Sequence, residues 1–350
     1  MNFVSIIRSL GGGLALSALM AMATMPASAA EPGKTLKTVQ DRGELLCTGH
    51  NGTYLGFAEV DDKGKWKGFD IELCRALAVA ILGTTEKLKL VPISWAQRFP
   101  SIQSGDIDII IKVTGWTMGR DTELGLQFSR PYFLGATQLM ASKASGAKTA
   151  KDLDGAVLCM AAGTSTERIT ADYLSSIGIK YKTISFEKSE EMRSAYFAGR
   201  CDAFAGWGPN LAITRTKAKN PDDHLILPDV MAVEPESAAM RQGDDQWVDL
   251  FNWMMTALWV AEQHGITSEN VDDIAKKPPN PSVGRMLGAS PGFGKRLGLR
   301  DTWAREMIKV VGNYKQIFDR TLGEKSPYKL DRGPNNLLAN GGAFYPLIID

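Results

Sequence analysis

RFPSIQSGDIDIIIKVTGWTMGRDTELGLQFSRPYF, residues 98–133, is the stretch from which the rest of the chain can be read. Phe99, Ile102 and Gln103 fall at helical offsets, and Gly105 follows as a left-handed stop. Asp106-Ile107-Asp108-Ile109-Ile110-Ile111 is a short apolar run rich in β-branched residues, the pattern of a strand buried on both faces. Polar and small residues then take over: Lys112, Thr114, Gly115, Trp116, Thr117, Gly119 and Arg120. Open α/β sheets bind their ligands at the carboxyl ends of strands. A guanidinium fixed there holds a carboxylate through two parallel hydrogen bonds. The competing reading pairs Arg120 with Asp121 or Glu123 at the surface.

The flanks carry the same alternation of strand and helix. Leu45-Leu46-Cys47-Thr48-Gly49 reads as a first strand, and residues 50–57, with Asn51, Tyr54 and Phe57, as a loop at its carboxyl end. Phe69, Leu73, Leu77 and Ile81 form one face of a helix over residues 69–82. Residues 87–93 alternate like a strand that ends at Ser94-Trp95. Residues 133–142 read as a strand leaving this unit, and Lys143-Ala144-Ser145-Gly146 as a linker. The alternation restarts with strands over 155–160, 180–186 and 201–205 and helices over 165–177 and 190–198. Gly163-Thr164-Ser165-Thr166-Glu167 is a strand-to-helix turn whose free N–H groups can seat an anion, although an ordinary helix cap has the same pattern. Residues 230–240 return to the first unit. Trp247, Leu250, Phe251, Met254 and Leu258 have helical spacing, residues 276–281 break that helix, and another runs over 303–318. The tail from residue 332 is expected along the surface.

Composition limits the function classes. The 350 residues are 44% hydrophobic and 23% charged, with a formal net charge of +1. Such a chain is long enough for two domains and has no charge excess that would point to nucleic acid or a membrane surface. Arg8, the apolar residues 6–22 and Ala27-Ser28-Ala29 read as a secretory signal peptide cut after Ala29 or Ala30, rather than as a membrane anchor. Export makes disulfides the first reading of Cys47, Cys74, Cys159 and Cys201, with buried free thiols as the alternative. No CxxC is present. Gly292-Phe293-Gly294-Lys295-Arg296 misses the P-loop pattern, and neither HExxH nor GxSxG occurs.

SGDIDIII, TGWTMGRD and FSRPYF, together with Lys67-Gly68-Phe69-Asp70, Asp152-Leu153-Asp154-Gly155, Gly163-Thr164-Ser165-Thr166-Glu167 and Arg241-Gln242-Gly243-Asp244-Asp245, resemble the amino-acid-binding receptors of ABC transporters. These are solute-binding proteins of family 3, and the broad-specificity L-amino-acid receptors of alphaproteobacteria share the pattern over almost the whole mature chain. The resemblance implies an α/β, two-lobed periplasmic binding protein of type II. Each lobe would be a central β-sheet flanked by helices, with a helical C-terminal extension. It implies a signal peptide over residues 1–29, a first lobe from 30–138 and 232–350, and a second lobe from 139–231. It further implies a monomer that closes on a small amino-acid-like ligand and docks on permease subunits. No cofactor, metal or nucleic acid is expected. With those lobes, Cys47–Cys74 and Cys159–Cys201 are the preferred pairs of the three connectivities. Arg120, Thr114, Gly115, Trp95, Trp116, Gly163, Thr164, Ser165, Trp207, Asn51, Tyr54 and Phe57 are the expected ligand-binding residues. An enzyme on the same fold, such as a cyclohexadienyl dehydratase, or a non-transport sensor is the alternative.

The chain also departs from that family. Gly115 stands where the resemblance expects a carboxylate-holding Thr, and Trp207 where it expects an Asp that grips the ligand's ammonium. Either the ligand has no free amine, with Trp207 and Trp95 offering indole faces, or another acid such as Glu59 or Glu236 takes over.

Overall fold

A computed structural model describes residues 33–350; the expected signal peptide lies outside the described residues. The strands are β1 (Leu45–His50), β2 (Glu59–Val60), β3 (Trp66–Lys67), β4 (Leu88–Ile93), β5 (Leu126–Phe128), β6 (Phe133–Ser142), β7 (Val157–Ala161), β8 (Lys182–Phe186), β9 (Ala203–Trp207), β10 (His224–Ile226), β11 (Ala232–Glu236) and β12 (Ala239–Arg241). One lobe is built on the parallel pair β1–β4 and the antiparallel pair β5–β12. The other holds a mixed sheet in the order β10-β6-β9-β7-β8, with β11 also paired to β6. The ten-residue β6 runs beside β11 as Phe133↔Glu236 through Thr137↔Ala232, so these two strands cross between the lobes together.

The helix Phe69–Leu82 is buried along nearly its whole length and sits between β1 and the C-terminal helices. The first lobe's core gathers Phe69, Leu77, Tyr132, Phe251, Trp259, Met307 and Phe318. The second lobe has apolar clusters on each face of its sheet, one around Leu139, Leu158 and Leu174, the other around Cys159, Tyr196 and Phe204.

The helix Arg98–Ser104 ends at Gly105 with φ 88°, as expected. The run 106–111, expected as a strand, is buried from Ile107 on but keeps only two bridges, Cys47↔Ile109 and Ile110↔Ala239. Side chains stand in for the missing ladder. Ile111 N–H donates to Thr48 Oγ1 at 3.0 Å, Thr48 Oγ1 donates to the Ile111 carbonyl at 2.7 Å, and Leu46 N–H donates to Asp108 Oδ2 at 2.8 Å. The helix expected over 303–318 is two, Trp303–Val311 and Tyr314–Thr321, divided by Gly312 at φ 76° and a capping box between Asn313 and Gln316. A helix Gly208–Arg215 directly follows β9, with Pro209 in its first turn, and had no expectation. The tail does not simply lie on the surface. Phe344 is buried and stacks on Trp259 with ring centroids 5.1 Å apart, and Arg332 pairs with Glu262.

Cys47 pairs with Cys74 and Cys159 with Cys201, at Cα separations of 6.1 and 5.6 Å, which suit a disulfide. Non-reducing mass spectrometry of the mature protein should therefore recover those two cross-linked peptides and no alkylated cysteine. Alkylation of any of the four would contradict the pairing.

Candidate functional site

Carboxyl ends of strands from both lobes converge on one cleft. Tyr54 follows β1, Trp95 and Arg98 follow β4, and Val113 ends the bridged run. From the other lobe come Ala161 at the end of β7 with Thr164, Ser165 and Thr166 beyond it, Ser189 after β8, and Trp207 at the end of β9 with Asn210 beyond it. Glu234 and Glu236 enter from β11. Helices Ser165–Ser176, Ser189–Phe197 and Gly208–Arg215 all begin here, and no N-cap side chain accepts from any of them. Their free N–H groups and dipoles favour negative charge in the cleft.

Arg98 dominates the first lobe's wall. It is 1% exposed, lies with Cζ 5.1 Å from the Trp95 ring and 4.7 Å from the Phe99 ring, and donates to no group among the described residues. Burial first, then the charge of Arg120, pushes it down to about 9, which still leaves it a cation at neutral pH. Arg120 donates from Nη1 to the Gly115 carbonyl at 2.7 Å and also faces the Phe99 ring. Lys112 is buried over the Trp95 ring at 4.5 Å, and burial, then Arg98, lowers it. Three basic side chains therefore share one apolar, aromatic wall.

The acids come in on β11. Glu234 accepts from the Thr137 hydroxyl through Oε1 and from the Ser165 hydroxyl through Oε2. Glu236 is 2% exposed, its Oε2 has no partner, and burial, then Glu234, raises it well above the ordinary carboxylate range. No ion pair within 4.0 Å forms between Arg98 or Arg120 and either glutamate among the described residues. A buried charge without a partner is costly, so the site is completed by whatever supplies the missing partners.

The backbone at the strand end is held under strain. Val113 has φ 33°, an outlier for a β-branched residue. Its N–H donates to Asp70 Oδ2 at 3.1 Å, and it also lies 3.0 Å from the Tyr132 hydroxyl, which donates to Asp70 Oδ1 at 3.1 Å. Burial pushes Asp70 up to about 7.

The expected residues divide. Trp95, Tyr54, Thr164, Ser165 and Trp207 line the cleft. Gly115 borders it: a Cβ there would lie 3.0 Å from Glu234 Oε2 and 3.5 Å from Arg120 Nη1. Gly163 approaches Ala96 across the cleft, where a Cβ would meet it at 3.3 Å. Thr114 turns its hydroxyl to the Lys112 carbonyl. Trp116 stacks on Phe128, half exposed. Phe57 is core, against Phe69, Phe133 and Trp207. Asn51 is not in the lining; its buried Oδ1 lacks a partner. Trp207 packs edge-on to Phe57 and Phe133, at 5.3 and 5.1 Å, and lies over Gly135 of β6, so its indole is as much core as wall. Of the acids weighed as substitutes, Glu59 binds Gly56 N–H, Tyr328 and Lys67 away from the cleft, whereas Glu236 lines it.

Arg98, Glu234 and Ser189 had no expectation. The acids were legible as Glu234-Pro235-Glu236, two carboxyls on one face of a strand expected to be buried. Arg98 was legible only as a cation one helical turn after Trp95.

Two outcomes follow. Arg98→Met should weaken ligand binding by about 2–5 kcal/mol in calorimetry while leaving the empty protein's thermal midpoint unchanged or higher, because a desolvated cation is removed. Unchanged affinity would place Arg98 outside the site. Gly115→Thr should also weaken binding, since overpacking against Glu234 costs about 1–3 kcal/mol; tighter binding would show that the cleft has room there.

Residues 46–266 match the family described as bacterial extracellular solute-binding proteins, family 3. The general L-amino acid-binding periplasmic protein of Rhizobium johnstonii is 41% identical over 94% of this chain and 97% of that protein. The glutamate/glutamine/aspartate/asparagine-binding protein of Rhodobacter capsulatus is 36% identical over 95% of this chain and 96% of its own length. A periplasmic binding protein of an ABC transporter from Brucella ovis, with glutathione bound, has 41% sequence identity and superposes with a TM-score of 0.86, covering 90% of this chain and 99% of that one. With the family match and these near full-length relatives, the chain belongs to the bacterial extracellular solute-binding proteins, family 3.

Proposed function

We propose that the protein is the periplasmic receptor of an ABC importer, exported by cleavage after Ala29 or Ala30. It binds an amino acid or an amino-acid-derived carboxylate between its lobes and hands it, as a monomer, to permease subunits. The observation that carries this reading is Arg98, a buried guanidinium with no carboxylate of its own, set opposite uncapped helix N-termini in the same cleft. An anionic group entering there completes bidentate hydrogen bonds that the protein leaves open. Relatives of 36–41% identity, two named for general L-amino acids and for glutamate, glutamine, aspartate and asparagine and one solved with glutathione bound, support the ligand class.

The lobes would comprise residues 30–138 with 232–350, and residues 139–231, with β6 and β11 as the hinge. Contacts across the cleft define the closed form: Thr53 N–H donates to Glu190 Oε2 at 3.2 Å, and the Ser165 hydroxyl reaches Glu234. Between them the cleft keeps a free volume of ≈ 50 Å³, so a solute enters only as these contacts part.

Glu236 favours one second reading. A buried carboxyl raised above the ordinary carboxylate range is what a dehydratase on this fold would use as general acid. Relatives of this chain are named as binding proteins, and a receptor is the reading adopted. Incubation with prephenate should yield no turnover.

A thermal-shift series on the mature protein tests the receptor reading. At least one of the standard L-amino acids or glutathione should raise the midpoint, and hexoses and polyamines should not. A shift with a neutral sugar and none with any amino acid would contradict it.

A further inference from the structure

We propose that Glu236 holds the ligand's ammonium, the task that the family resemblance gives to an acid at position 207. The proposal rests on the amino-acid-receptor reading and names the residue that makes the site select amines. Position 207 cannot do so, because Trp207 carries no charge and its indole packs against Phe57 and Phe133. Glu234 is already engaged, one oxygen by the Thr137 hydroxyl and the other by the Ser165 hydroxyl. Glu236 lies two residues on along β11, on the same face, inside the cleft, with Oε2 enclosed and unpartnered. Pro235 between them gives its carbonyl to Trp116 N–H at 3.0 Å, and the Glu236 carbonyl takes Tyr132 N–H at 2.8 Å, so the strand that carries the acid is pinned to the first lobe.

The groups facing Glu236 set its state. Glu234 on its own strand, and Asp70 on the helix Phe69–Leu82, oppose its ionisation; Arg98 and Arg120 on their helices favour it; Tyr54 and Tyr132 are neutral neighbours. Burial and the nearby carboxyls raise Glu236 well above the ordinary carboxylate range in the empty cleft. An arriving ammonium reverses the balance. The carboxylic acid and the ammonium become a carboxylate–ammonium pair, and the acid's proton leaves to solvent. Charge balances, because a neutral acid becomes a carboxylate and one proton departs. Binding of an amine is thereby coupled to release of up to one proton, whereas a Glu236 that merely donated its proton to a ligand oxygen would release none.

Calorimetry of the intact mature protein in phosphate and in Tris at neutral pH reads this directly, with L-glutamate, L-glutamine and glutathione as probes. Glutarate serves as the amine-free counterpart of glutamate. The wild type should release a fraction of a proton up to one per probe bound, and none with glutarate. Glu236→Gln should bind the amine-bearing probes about 10- to 100-fold more weakly, release no proton, and treat glutarate as the wild type does. Equal affinities in Glu236→Gln, or a wild type that binds glutarate as tightly as L-glutamate, would overturn the proposal alone; the wild-type comparison decides even where the variant does not fold. Failure of all three probes to bind the wild type would overturn the amino-acid reading and the proposal with it.

Discussion

Arg98, Glu234 and Glu236 line one cleft, Arg120 lies behind it against the Phe99 ring, and none of the four forms an ion pair with another. Bringing them together would be simple chemistry and would extinguish the site. Instead the guanidiniums are spread over the faces of Trp95 and Phe99, which stabilise a cation without satisfying its N–H groups. Glu234 is tied down by two hydroxyls, and burial raises Glu236 well above the ordinary carboxylate range. The result is a set of charges held in readiness, in a medium where each new partner counts for more than it would in water.

The surrounding framework follows from this constraint. Asp70, at the start of the long buried helix, fixes Val113 in its left-handed conformation through its N–H, and Tyr132 braces the same carboxylate. That bends the chain away from the first lobe's sheet at the point where Thr114, Gly115 and Arg120 must turn along the cleft. Gly115 has no side chain, and the space a Cβ would occupy belongs to Glu234. β11 and β6 cross together, and the Pro235 and Glu236 carbonyls accept from the Trp116 and Tyr132 N–H groups, so the acids stay with the first lobe. Closure then brings Ser165 to Glu234 and Glu190 to Thr53, sealing the charges from water as the lobes meet.

Much of this was legible in the chain. The helix Phe69–Leu82 has the expected bounds because its apolar residues and its flanking glycines both act locally. The disulfides follow from the lobes, since each joins residues of one lobe. The run 106–111 was legible as buried but not as bridged, because its ladder is replaced by the Thr48 hydroxyl and the Asp108 carboxylate, side chains distant in sequence. The site was harder for the same reason. An Arg in the first turn of a short helix is usually solvated; Arg98 is buried only because Trp95 and Phe99 close over it. The direction of Trp207 depends on Gly135 of another strand, which leaves room for the indole. Glu234 and Glu236 could be placed on one strand face, but which face meets the cleft is decided by how β11 crosses.

The claim that the cleft's charges wait for a ligand to pair them is tested most directly by a crystal structure of the mature protein with a bound amino acid. The account predicts the ligand carboxylate within hydrogen-bonding distance of Arg98 and its nitrogen within hydrogen-bonding distance of Glu236, with Trp207 still packed against Phe57 and Phe133. A ligand that leaves both side chains untouched, or an Arg98 turned to pair with Glu234 or Glu236 while the ligand sits elsewhere, would contradict it.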